Sequence, residues 1–295
     1  ISWKPAFSNL VKACDASWAP GKSIVIQSCR CFRRIDHSVP LLKRVTLHEE
    51  RWVRGDLHDR RQPRWDWFIV PPVEVTTEAP GSIEVLLVAV HNDELALLNG
   101  VVTGANIAAS FYEIEIFSTI RAVVDEPVKP VLVLDIGASA TKVYVVEHGV
   151  VAFSHNIPEG GQDVTRTIAA AQSITISKAE ILKKEHGFGA QDDSSYEKST
   201  IELVFSRIFE EAHRAILQYE TAKNKKISGL VLTGGGGGTK ELAAYAKTFF
   251  SVDVKIADPF SKTEAPAFMR PVLEAIGPEF AVAVGLALRK LEEGE

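Results

Sequence analysis

Apolar positions alternate or repeat regularly from Trp65 onward. Trp67–Val70 and Ile83–Val90 read as strands, the second mostly buried because its apolar run is nearly unbroken. Asn92 offers an N-cap for a helix carrying Leu95, Leu97 and Leu98. Residues 110–122 then lead to Glu126–Pro130, whose prolines block both helix and central strand. Together these predict a small α/β unit over residues 66–130.

Residues 131–295 read as a second domain. Val131–Ile136 is an apolar strand that turns through small residues and returns as an alternating strand, and Val150–Ser154 continues it. Gly160–Gly161 opens a helix capped by Asp163 or Thr165 and running to Gln172. Ser177 caps a short helix, Lys178–Glu185, that stops at Gly187. A long amphipathic helix follows, with Ile201, Val204, Phe205, Ile208, Phe209, Ala212, Ile216 and Tyr219 at three-to-four spacing. Strand Gly229–Thr233, five glycines, helix Thr239–Thr248, strand Val252–Ile256 and a helix from Glu279 to about Leu291 complete the domain. Alternating β and α elements predict a mixed sheet covered on both faces.

The first 65 residues break this pattern. Ser23–Gln27 and Leu41–Leu47 are candidate strands, but residues 49–64 are Arg-rich with no apolar face. This stretch holds 13 Lys and Arg against 6 Asp and Glu, a charge of +7, whereas the remainder carries −12. Cys14, Cys29, Cys31 and all five Trp lie within the first 67 residues. The cysteines lack metal-ligand spacing and read as free thiols of a reducing compartment. No uninterrupted run of about 18 apolar residues exists, so no membrane span is expected.

Two places carry candidate chemistry. In Asp135–Ile136–Gly137–Ala138–Ser139, an Asp-x-Gly turn can aim N–H groups at a phosphate while Asp135 holds a hydrated cation. The same residues also suit an ordinary hairpin turn. Gly234–Gly238 joins a buried strand to a helix, and the missing Cβ atoms let a ligand approach the backbone. That loop is neither a P-loop nor a dinucleotide fingerprint. Gly160–Gly161 is a third possible close approach, and Glu180 and Lys183 share one helical face, where a salt bridge is the simpler reading. Glu210 and His213 have the spacing of a di-iron ligand pair but no second such pair, so they read as a solvated face.

The order of these features resembles the second half of the actin-like ATPase (ribonuclease H-like) fold. In detail it resembles the PilM family of type IV pilus assembly proteins and its relative FtsA. The stretches that carry the resemblance are Leu134–Ala138, Glu159–Thr165, Ala179–Lys184, Leu232–Gly236 and Pro278–Ala287. The resemblance implies an α/β chain whose second actin-like half is complete and whose first half is incomplete. Residues 66–130 would be the small subdomain that PilM and FtsA insert, and about 166–226 an insert of the second domain.

By that resemblance the ligand is ATP with Mg²⁺. Asp135 would hold the cation through water, and Gly137, Ser139 and Thr141 would line the phosphates. Gly160 and Gly161 would close the phosphate and ribose side, Glu180 and Lys183 would flank ribose and adenine, and Gly234, Gly235 and Gly236 would carry the adenosine. Ala283 belongs to the same set on the closing helix. The partner implied is the short cytoplasmic tail of a PilN-like bitopic protein at the inner membrane, in pilus assembly and twitching motility. Other pilus inner-membrane assembly proteins and self-association are also expected. No residue is read as catalytic, and hydrolysis is expected to be weak or absent. An FtsA-like division protein, or a kinase or phosphatase of the same fold, are the alternatives. The family's first Asp-x-Gly hairpin has no counterpart in residues 1–65: Asp15 and Asp36 lack the glycine, and Gly55 precedes Asp56. That stretch is therefore expected to be either a remnant or out-of-frame sequence, and its charge is not read as a nucleic-acid-binding arm.

Overall fold

A computed structural model of the chain describes residues 41–48, 64–69, 82–90, 92–109, 111–125, 129–188 and 195–293. The chain divides into two compact units, residues 1–112 and 113–295. Candidate strand Ser23–Gln27 and the three cysteines lie outside the described residues.

The first unit contains a three-stranded antiparallel sheet in the order β1-β3-β2, from β1 (Leu41–His48), β2 (Arg64–Ile69) and β3 (Ser82–Val90). Leu41 pairs with Ala89 and His48 with Ser82, so part of the basic N-terminal stretch forms an edge strand of this sheet. Helix α1 (Asn92–Gly104) follows, with Leu97, Leu98 and Val101 exposed.

The second unit begins earlier than the Glu126–Pro130 linker suggested. Helix α2 (Glu115–Val123) belongs to it because α2 packs along the closing helix α7 (Arg270–Glu293). Gly285 of α7 makes this possible: a Cβ there would lie 1.9 Å from the Ser118 carbonyl oxygen. Around this contact, Glu113 accepts from Arg121 at 2.9 Å, from Arg289 at 2.9 Å and from Ser118 at 2.5 Å. Burial acts to raise the Glu113 pKa, but these hydrogen bonds and the two guanidinium charges outweigh it and hold the carboxyl below its usual range.

The central sheet has the order β6-β5-β4-β7-β8, from β4 (Val131–Ile136), β5 (Thr141–Glu147), β6 (Val150–Ile157), β7 (Gly229–Thr233) and β8 (Asp253–Ile256). β4, β5 and β6 are antiparallel, and β7 runs parallel to both β4 and β8. His148 and Gly149 both have positive φ, 52° and 77°, which gives the β5–β6 hairpin the twist of a two-residue primed turn. Between β6 and β7 come α3 (Gly161–Gln172), α4 (Ile176–His186) and α5 (Ser195–Lys223), and α6 (Leu242–Phe250) joins β7 to β8.

One sheet face, Leu132, Leu134, Ile136, Val143 and Val145, shares a core with Ile168, Ile201, Phe205, Ile208 and Phe209. Phe209 is fully buried, with ring centroids 5.6 Å from Tyr245 and 5.1 Å from Phe250, so the aromatic residues of α5 and α6 seat these helices together. Emptying such a site costs about 3–5 kcal/mol. Residues 166–226 therefore contribute directly to the core of the sheet. On the opposite face Val133 and Val146 are buried, and α7 packs against β7 and α2.

Several local expectations change. Thr175, not Ser177, caps α4, its hydroxyl accepting the Lys178 N–H at 3.3 Å. Asp163 is not the cap of α3 but lies inside its first turn, where its carboxylate accepts the Gly160 N–H at 2.8 Å. Helix α6 starts at Leu242 rather than Thr239, because Glu241 takes the left-handed conformation, φ 60°, and separates the glycine loop from the helix. Helix α7 starts at Arg270 rather than Glu279 and contains Pro278. By length and composition Ala267–Arg289 is apolar enough to cross a membrane, although no uninterrupted apolar run exists. In the structure its Ala281, Val284 and Gly285 are buried.

A candidate nucleotide-binding cleft

The Asp135 turn, the start of α3 and the glycine loop meet at the ends of β4 and β7. Gly137 N–H donates to the Ala140 carbonyl at 3.0 Å and closes the β4–β5 turn. The first N–H groups of α3 are directed at that turn: Gly161 donates to the Gly137 carbonyl at 2.9 Å and Gln162 to Ala138 at 2.7 Å. A Cβ on Gly160 would lie 2.6 Å from the Gly137 carbonyl oxygen. Gly160 is thus required by the chain's own close approach, whereas a Cβ on Gly161 would meet only ordinary contacts at 3.7 Å, and the N–H groups of Gly161 and Gln162 are already engaged. Thr141 is fully buried and donates to the Glu159 carbonyl at 2.8 Å, so its hydroxyl braces the loop. Ser139 is exposed at the tip of the turn.

Asp135 lies beside the glycine loop. Gly234 has φ 78°, and a Cβ on it would come within 2.5 Å of Asp135 Oδ1. A Cβ on Gly236 would lie 2.4 Å from Ile136 Cγ2, beneath the loop. Gly238 borders open space, so the loop combines glycines needed for packing with glycines that face solvent. Burial pushes the Asp135 carboxyl pKa up. Burial and the Asp135 charge together push the neighbouring Tyr144 phenol up. A carboxylate short of solvation, with no Cβ crowding it from Gly234, suits a hydrated divalent cation.

A cavity of about 210 Å³ opens next to this loop. Glu180, Lys183, Lys184, Gly234, Gly235, Gly238, Thr239, Lys240, Ala275, Pro278 and Glu279 line it. Four residues singled out from the sequence, Glu180, Lys183, Gly234 and Gly235, therefore share one wall-to-wall space. Lys183 is held in place, donating to Glu180 at 2.7 Å, Thr165 at 2.9 Å and the Gly161 carbonyl at 3.1 Å. Burial acts to raise the Glu180 pKa, but bonds from Lys183 and Thr165 and the charges of Lys183 and Lys184 hold it below the usual range. The Glu180–Lys183 pair is thus the salt bridge expected of its spacing, and it also forms a wall of the cavity.

Lys184, Lys240, Pro278 and Glu279 were not singled out as binding residues. Lys240 reaches back to the Glu185 carbonyl at 2.5 Å, while Phe188 N–H donates to the Lys240 carbonyl at 3.1 Å. The Pro278 carbonyl accepts the Gly234 N–H at 2.9 Å and the Thr233 hydroxyl at 3.2 Å, fastening the loop to α7. Glu279 stands opposite Gly235, whose Cβ would be 3.6 Å from Glu279 Cγ. The signal for these residues was their adjacency to motifs, Lys240 after the glycine run and Pro278–Glu279 opening the closing run. Ala283 and Gly236 do not line the cavity; Ala283 is exposed on α7. His213 is exposed beside the Phe249 and Phe250 rings, and no cluster of three metal-ligating side chains occurs among the described residues.

A family model described as type IV pilus assembly protein PilM matches residues 66–291. The chain belongs to the PilM family. PilM relatives share the fold seen here: a PilM–PilN type IV pilus biogenesis complex superposes with a TM-score of 0.68 at 21% identity, covering 85% of this chain and 76% of that one. MreB5 of Spiroplasma citri, solved with ADP, superposes with a TM-score of 0.52 at 17% identity, covering 70% of this chain and 68% of that one. The fold is therefore actin-like. Cell division protein FtsA of Escherichia coli (strain K12) is 28% identical over 189 residues, covering 55% of this chain and 44% of FtsA. The chain thus spans less than half the length of that relative.

Proposed function

We propose that this PilM-family chain is a nucleotide-binding assembly scaffold of the type IV pilus, or of a related type II secretion system, that grips the cytoplasmic tail of a PilN-like bitopic protein. The observation that carries the nucleotide half is one cavity walled by the glycine loop and the Glu180–Lys183 pair, with Asp135 beside that loop at Gly234. At about 210 Å³ the cavity is below the roughly 300–1,000 Å³ of whole small-molecule sites. It suits the nucleoside end of ATP, with the phosphates extending along the strand ends toward Asp135. Lys184 and Lys240 supply positive charge at its rim. A Mg²⁺ held through water at Asp135 would neutralise phosphate charge.

The solved PilM–PilN complex supports the partner half of the reading. The tail is assigned to the unit of residues 1–112, where exposed Leu97, Leu98 and Val101 on α1 offer apolar surface. Residues 66–130 would act as the family's inserted subdomain and 166–226 as the insert of the second domain. The protein would sit in the cytoplasm, peripheral to the inner membrane through its partner. Nucleotide acts as a ligand that shifts a conformational equilibrium, with hydrolysis weak or absent.

Titration with a fluorescent ATP analogue, with and without Mg²⁺, and pull-down by a PilN-like tail peptide test the two halves. Saturable Mg²⁺-dependent binding and peptide capture are expected. Absence of either overturns that half. The FtsA matches favour a second reading, an FtsA-like division protein, which peptide capture would count against. ATP turnover that depends on an added small substrate would instead establish a kinase or phosphatase.

A further inference from the structure

Thr233, Asp135 and Lys142 occupy one row across three neighbouring strands: Asp135 pairs in register with Thr233 of β7 on one side and with Lys142 of β5 on the other. Directly paired residues present their side chains on the same sheet face. The cavity lies at the β7 end of the row, at Gly234 and Gly235. With strands about 4.8 Å apart, the row carries a ligand from the cavity past Asp135 to Lys142 over about 10 Å. A nucleoside diphosphate reaches less far along this line than a triphosphate.

Lys142 is ion-paired with Glu115, in the first turn of α2. The two side chains are 28% and 45% exposed, and pairs that open to solvent contribute little and exchange readily. Burial also pushes the Lys142 ammonium pKa down, so this cation is short of solvation and gains from a multiply charged partner. Resting on the nucleotide reading above, we infer that Lys142 is a ligand-sensing cation that leaves Glu115 for the terminal phosphate of a bound nucleoside triphosphate. The exchange transmits occupancy of the cleft to the start of α2, because Glu115 loses the cation that ties it to β5.

Isothermal titration of Mg·ATP and Mg·ADP into the wild-type chain, Lys142→Gln, Lys142→Arg and Glu115→Gln tests this. The wild type binds both nucleotides. Lys142→Gln weakens ATP about tenfold while changing ADP little, as expected for loss of one charge-assisted bond to the terminal phosphate. Lys142→Arg restores most of the ATP affinity. Glu115→Gln tightens ATP about threefold, since the competing carboxylate is gone. ATP raises hydrogen exchange at residues 115–118 in the wild type and leaves it unchanged in Glu115→Gln. Equal effects of Lys142→Gln on ATP and ADP, or weakening of ATP by both Lys142→Gln and Glu115→Gln, overturn the inference and leave nucleotide binding intact. A wild type that binds neither nucleotide overturns the nucleotide reading and this inference with it.

Discussion

The Gly234 N–H donates to the Pro278 carbonyl at 2.9 Å, so the glycine loop hangs from the middle of the helix that packs on α2. Gly234 holds φ 78°, and a Cβ would come within 2.5 Å of Asp135 Oδ1. Gly234→Ala is therefore expected to cost about 1–3 kcal/mol of stability and to weaken nucleotide binding at least tenfold. Urea denaturation and nucleotide titration check this. Unchanged values for both would show that the loop relaxes freely.

Gly285→Ala is expected to force α7 away from α2. The added methyl would sit 1.9 Å from the Ser118 carbonyl oxygen, a backbone atom that cannot rotate aside. Overpacking of this kind costs about 1–3 kcal/mol, occasionally more. A loss of stability by denaturation is expected, and none would mean that α2 shifts without penalty.

Asp135→Asn should separate stability from binding. The Asp135 pKa is raised from 3.8 by burial, so between that value and the raised one the folded state holds more protons than the unfolded state. Stability therefore falls as pH rises through this window, and the neutral variant lacks that fall. At pH 7 the variant is expected to be as stable as the wild type or more so, while losing Mg²⁺-dependent nucleotide binding. A destabilised variant at pH 7 would show that the carboxylate has a structural partner instead.

Glu113 predicts the opposite sign. Its pKa is lowered from 4.5, so its stabilisation is fully present above that value and lost as pH falls through the folded value. Glu113→Gln is expected to cost about 2 kcal/mol at pH 7 and to lose less stability than the wild type below pH 4.5. Parallel acid-denaturation profiles would sink this assignment.

The Asp135 hairpin, the long helix α5 and the strand before the glycine loop were legible because local alternation and 3.6-residue periodicity report burial directly. The strand Leu41–His48 was legible too, but its partner was not: pairing with β3 depends on a segment more than 30 residues away. Helix caps were misplaced among neighbouring polar residues because Thr175, Ser177, Asp163 and Thr165 are all competent hydrogen-bonding side chains. Only backbone geometry chooses among them.

The sequence alone determined the order of the elements, the apolar faces that form the core and the motif set that places the chain in its family. Those properties are local, carried by residue type and spacing. Tertiary structure decided that Gly160, Gly234 and Gly236 meet their own chain, that Thr141 turns inward, and that Lys142 stands beside Asp135. These depend on register and on close approach between segments distant in sequence. Steric exclusion at such contacts acts over ångströms, a scale that hydrophobic patterning does not encode.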